Sequence, residues 1–191
     1  MLVTLNDVLT DAKKNKYGVG LFNTVNLEMA KGVLSAAEEL RSPVIIGTAE
    51  VLLPYASLEE LSYFLLPMAK KASVPVVLHF DHGLTDTKIL EALKLGFSSI
   101  MYDCSTDSYD VNVKKVSDMV KIAKLFGATV EAELGHVGAN DADAAESGGS
   151  HDNSIYTEPE QARDFVEKTN VDALAVAIGT AHGAYKEKPK L

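Results

Sequence analysis

The sequence predicts an α/β domain of the (β/α)8-barrel type, and three observations lead there. Short, continuous apolar runs alternate with longer stretches of helical periodicity. The runs are unbroken rather than alternating, as in parallel strands buried on both faces. Polar residues also recur at the C-terminal ends of successive runs (Asn23, Asp81–His82, Asp103, Glu133 and Gly179–His182), the rim where barrels assemble active sites. A doubly wound sheet shares the β-α alternation, but no GxGxxG follows the first run.

The elements read in order. The N-terminal stretch through Gly18 is an amphipathic helix, without the basic start and cleavage site of a signal peptide. Strands are expected at Tyr17–Asn23, Pro43–Thr48, Pro75–Phe80, Ser98–Asp103, Thr129–Leu134 and Ala173–Ile178. Asn26–Leu40 carries helical spacing behind an Asn cap. Ser57–Ala72 opens with a capping box, Ser57 to Glu60. Thr85–Leu95 and Val111–Phe126 follow. Glu158–Thr169 has Thr157 as its expected cap and Pro159 in its first turn. These make six strands in one incomplete domain, 1–191, whereas a whole barrel takes eight strands and about 250 residues. The expectation is a C-terminally truncated barrel. The small, acidic stretch 138–153 lacks a core-facing period and is expected to form a mobile loop over the active site.

Composition narrows the function. The chain has 191 residues, 47% hydrophobic and 24% charged, which is ordinary globular material. A net charge of -9 argues against a nucleic acid or an anionic membrane, whose phosphates it would repel. A small phosphorylated substrate needs only a few local cations. The single cysteine, Cys104, excludes an internal disulfide and suits a reducing cytoplasm. No apolar stretch is long enough to span a bilayer.

Several residues carry candidate chemistry. Asp81 and His82 end a buried strand, where an acid and an imidazole are costly unless used or paired. They read either as acid/base and metal ligand or as a strand-end pair bonded to loop backbone. Glu131 and Glu133, two apart in a strand, share a face. Glu133, nearer the end, is the better ligand or acid/base, with salt-bridged strand carboxylates as the alternative. Asp103 precedes Ser-Thr-Asp and also suits a turn or helix cap. The small-residue loop Gly179–Lys186 can approach an anion, with His182 a metal candidate and Lys186 a phosphate candidate. Asn23 is the rim candidate for a substrate contact. His79 reads as a core histidine, and His136 and His151 as solvated.

Taken together, FNTVNLEMAKGVLSAAEEL, PVVLHFDHG, SIMYDCS, VEAELGHVG and YTEPEQARDFVEKTNVDALAVAIGTAHGAYK resemble the class II fructose-bisphosphate and tagatose-bisphosphate aldolases along essentially the whole chain. The resemblance implies a zinc-dependent barrel, usually dimeric or tetrameric. It implies reversible cleavage of a ketose 1,6-bisphosphate to dihydroxyacetone phosphate and glyceraldehyde 3-phosphate. By motif, Asp81 is similar to the acid/base, and His82 and His182 to two of three zinc histidines. Glu133 is similar to a carboxylate near the metal, Gly183 and Lys186 to substrate and phosphate contacts, and Asp103 to a second-cation or structural position. The pattern departs in places. No LHGGSG-like motif supplies the third histidine, Asp141 stands where the loop glutamate is expected, and Gly47-Thr48-Ala49-Glu50 replaces QxSxGA. No lysine lies inside an expected strand, which disfavours a Schiff-base aldolase. The competing expectation is an aldolase-derived binding or assembly protein without activity.

Overall fold

The computed structural model describes residues 1–135, 137–139, 156–179 and 181–182, the last pair and 138–139 by backbone alone. Its centre is a parallel half-barrel of six strands with alternating helices, a partial TIM barrel. The strands are β2 (Leu21–Asn23), β3 (Val44–Ala49), β4 (Val76–Gly83), β5 (Ser99–Tyr102), β6 (Thr129–Leu134) and β8 (Ala173–Val176), hydrogen-bonded in that order. A short strand not foreseen, β1 (Leu2–Val3), pairs with the lower end of β4, Leu2 opposite Val76. It fits there because β5 joins β4 only from His79 upward. A separate ladder joins β7 (Gly138–Ala139) to β9 (Ala181–His182).

Helices α2 (Leu27–Leu40), α3 (Leu58–Lys71), α4 (Asp86–Leu95), α5 (Tyr109–Leu125) and α6 (Pro159–Thr169) follow their strands. Their starts show why the chain turns helical there. Asn26 accepts from the Met29 amide at 2.9 Å, and Ser57 with Glu60 forms the expected capping box. Gly96 ends α4 at φ 96°, a left-handed cap open to glycine. One cap differs from expectation. The N-cap of α6 is Glu158, because the Thr157 hydroxyl is engaged elsewhere. It donates to the Leu134 carbonyl and accepts from the Ala177 amide at 2.8 Å, tying β6 to β8.

The alternation of each strand divides two layers. Val76, Leu78 and Phe80 of β4 join Val44, Ile46, Ile100, Val130 and Ala132 in the main core under the helices. Val77 faces the other way and packs with Ile45, Leu5 and Val8. Leu5 and Val8 belong to α1 (Leu5–Asn15), which therefore closes the bottom of the half-barrel. His79 and Asp81 share the inward face of Val77, higher on the strand. The first and last strands of the order leave apolar side chains uncovered, with Phe22 50% and Val176 40% exposed.

Candidate metal centre

The upper ends of β4, β5 and β6 bring together His82, Asp103 and Glu133. One donor atom from each lies within 4.8 Å of the others. Strand β4 runs past the expected Phe80 end to Gly83, so Asp81 and His82 are strand residues rather than loop residues. The register between β4 and β5 shifts between Phe80 and Gly83. His82 sits at that irregularity with φ 41°, in the left-handed region that a side chain makes costly.

Hydrogen bonds fix the ring. His82 Nδ1 lies 2.8 Å from Asp103 Oδ2. Asp103 Oδ1 accepts from the Ser105 amide at 3.0 Å and its hydroxyl at 2.7 Å, so the turn role suggested for Asp103 coexists with the contact to His82. The Asp103 hydrogen bond raises the His82 pKa to about 9, against the pull of burial. Burial alone would raise the Asp103 carboxyl. The hydrogen bonds from His82 and Ser105 outweigh it and carry the pKa down. Glu133 is 4% exposed, and burial first, then the Asp103 charge, lift its pKa to about 7. Asn112 of α5 donates to the Glu133 backbone carbonyl at 3.0 Å, holding β6 at the level of the group.

Below this group lies an inward layer that includes Asp81. His79 is fully buried. Its Nδ1 is 2.8 Å from Ser99 Oγ, while Nε2 faces Glu131 Oε2 at 3.5 Å and Asp81 Oδ1 at 3.9 Å without a hydrogen bond. Burial lowers its pKa to about 4, so at neutral pH the contact is not an ion pair. Burial also lifts Glu131 to about 7. His79 is thus a core histidine on one side only, with its second nitrogen directed at two carboxylates. The strand period that pairs it with Asp81 could have revealed this.

The other expected residues are placed as follows. Asn23 ends β2, exposed and opposite Gly47 in register. His182 is described by its backbone in β9, opposite Ala139. Gly183, Lys186, His136, Asp141, His151 and most of the 138–153 loop lie outside the described residues. Cys104 is a buried thiol whose pKa burial pushes up to about 11. Two contributors went unrecognised in the sequence. Asn112 carries no signal there. Glu50 directly follows β3, a rim position like the others.

An imidazole with two carboxylates suits a divalent cation of the zinc type, and a carboxylate as buried as Glu133 is expensive without a cation or a proton. The donor set therefore fits a metal. A metal on His82 would have to displace the proton that Asp103 stabilises.

The profile of the family described as "Fructose-bisphosphate aldolase class-II" matches residues 3–191. The chain belongs to the class II fructose-bisphosphate aldolase family. It is 43% identical over 195 aligned residues to a fructose-bisphosphate aldolase of Thermus caldophilus, covering 98% of this chain and 60% of that protein. It is 42% identical to a fructose-bisphosphate aldolase of Giardia intestinalis, across 98% of this chain and 56% of the relative. The crystal structure of the YdjI aldolase from Escherichia coli K12 superposes with a TM-score of 0.87 at 38% identity, covering all of this chain and 66% of that one. The chain thus spans about 60% of the length of these curated relatives. Among the described residues, no helix is long and apolar enough to cross a membrane.

Proposed function

We propose that this chain carries the metal-binding half of a class II aldolase site, acting on a ketose 1,6-bisphosphate. The observation that carries the reading is the convergence of His82, Asp103 and Glu133 within 4.8 Å at the rim, one strand position beyond Asp81. His82 and Glu133 would hold the cation, with His182 as a further ligand, and Asp103 holds the His82 ring through Nδ1. That carboxylate–histidine arrangement orients a ligand and fixes its tautomer. When bound, zinc would supply Lewis-acid polarisation of the ketone oxygen and so ease the breaking of C3–C4.

Asp81 takes the proton of the C4 hydroxyl as that bond breaks, and returns it in the condensation direction. Asn23, Gly183 and Lys186 are proposed to meet the substrate and its phosphate. Zinc is the proposed metal, with a second cation near Asp103 as part of the same reading. A dimer or tetramer, a cytoplasmic location and a single incomplete barrel domain belong to it as well. Fructose and tagatose bisphosphates are both within the proposed substrate class.

Metal analysis and a coupled assay on both bisphosphates test the reading. One zinc per chain, turnover abolished by EDTA, and at least a hundredfold loss in Asp81→Asn are the expected results. A chain that neither binds zinc nor turns over either sugar sinks it. A second reading has its own support in the apolar side chains exposed on the first and last strands among the described residues, Phe22 and Val176: an aldolase-derived binding or assembly protein. Tight zinc without turnover would favour it.

A further inference from the structure

We propose that Glu50 is a positioning residue, setting the left-handed backbone that aims His82 at Asp103 and Glu133; the metal side of this inference rests on the reading above. Glu50 opens the 3-10 turn Glu50–Leu52 at the end of β3. Its carboxylate reaches across to the chain leaving β4. Oε2 accepts from the Leu84 amide at 2.7 Å and the Thr85 amide at 3.1 Å, and Oε1 accepts from the Thr85 hydroxyl at 2.9 Å. All three donors lie two or three residues after His82.

His82 needs such a restraint. A non-glycine residue at φ 41° persists only where the surroundings over-determine it. Upstream, the β4 ladder holds the chain, with Ala49 opposite Asp81. Immediately downstream, the Gly83 carbonyl accepts from the Asp103 amide at 3.0 Å. Beyond that, Glu50 holds the next two amides. Hydrogen bonds to an ionised acceptor are among the stronger ones, and three converge here. The same carboxylate stands at the start of α4, where its charge also complements the helix dipole. A cap alone would explain that last contact. It would not explain a carboxylate drawn from the turn after another strand onto the residues that follow the only left-handed non-glycine position in the described strands.

The two roles separate experimentally in the 191-residue chain, using wild type, Glu50→Ala and Glu50→Gln. Without metal, NMR reads the His82 ring resonances and the exchange rates of the Leu84 and Thr85 amides. With metal, chelator competition reads zinc affinity, and the Co2+ absorption spectrum reads ligand geometry. In Glu50→Ala the expected results are faster exchange at both amides, displaced His82 resonances, a perturbed Co2+ spectrum and zinc binding weaker by roughly ten- to hundredfold. Glu50→Gln keeps one carbonyl acceptor and should recover part of each effect. It carries the test if Glu50→Ala does not fold. A folded variant with wild-type His82 resonances overturns the proposal, even if its melting temperature has fallen, since that pattern is capping alone. Absence of zinc binding in the wild type would sink the metal reading separately, leaving the His82 resonances to decide on Glu50.

Discussion

Strand β4 has two ends that obey different rules. At the lower end Val77 is sealed by Ile45, Leu5 and Val8, apolar against apolar. Two and four residues later, on the same inward face, stand His79 and Asp81, and beyond them His82 with Asp103 and Glu133. The lower end gains stability from burial. The upper end buries groups that prefer water, a cost in stability that a bound cation would offset. Substitutions at the two ends should therefore differ in their effect on metal affinity.

The largest expected effect is at the bottom. Leu5→Ala removes a side chain that is 1% exposed and should cost about 3–4 kcal/mol in urea unfolding. Zinc affinity per folded molecule should be unchanged; a loss of affinity would break the division between the ends. Next comes acid. The folded pKa of His79, about 4, lies below its ordinary value of 6.5. Its contribution is complete above about pH 6.5 and is lost as pH falls toward 4, amounting to about 3 kcal/mol. Asp81, Glu131 and His82 face it, and the raised pKa of Glu131 acts in the opposite sense, stabilising at low pH and fading toward 7. The difference between wild type and His79→Asn across pH 4–7 isolates the histidine. Equal pH slopes in the two would show that His79 is not buried neutral.

Gly83→Ala should cost about 2 kcal/mol, because a Cβ there meets the Met101 carbonyl oxygen and Ile89 at 2.8 Å. It should also disturb His82, and intact metal affinity in a destabilised Gly83→Ala protein would count against that coupling. The smallest effect has the reverse sign. Glu133→Gln relieves a buried carboxylate and should raise the metal-free melting temperature, by about 1 kcal/mol in stability, while zinc binding is lost. A destabilised Glu133→Gln would mean that the rim is held by this side chain rather than strained by it.

Most of the half-barrel was legible in its residues. The runs at 43–48, 75–80 and 129–134 are continuous and β-rich because both faces are buried, and the structure puts strands there. Tyr17–Asn23 was only partly so: pairing is confined to Leu21–Asn23, an edge with one neighbour in the sheet order. Two-residue β1 has no period to read, since its partner lies more than seventy positions away. At the site, Asp81, His82, Asp103 and Glu133 were visible as polar residues at strand ends, a rule that needs topology only. The Asp103–His82 contact and the reach of Glu50 to Leu84 depend on how neighbouring strands are staggered, which no single segment encodes.

The pairing of β1 with β4 has a consequence for the order of folding. The Met1 ammonium group bonds the carbonyls of Ala72 and Val74, and the Met1 carbonyl accepts from the Val76 amide at 2.8 Å. During synthesis Leu2 and Val3 must therefore wait for partners more than seventy residues further along the chain. At about 5–20 residues per second that is roughly 4–15 s, plus transit. During that time the α1 plug has no floor to seal, and its apolar face is open to chaperones or to other nascent chains. The closure of the barrel bottom by α1 is a late, long-range step.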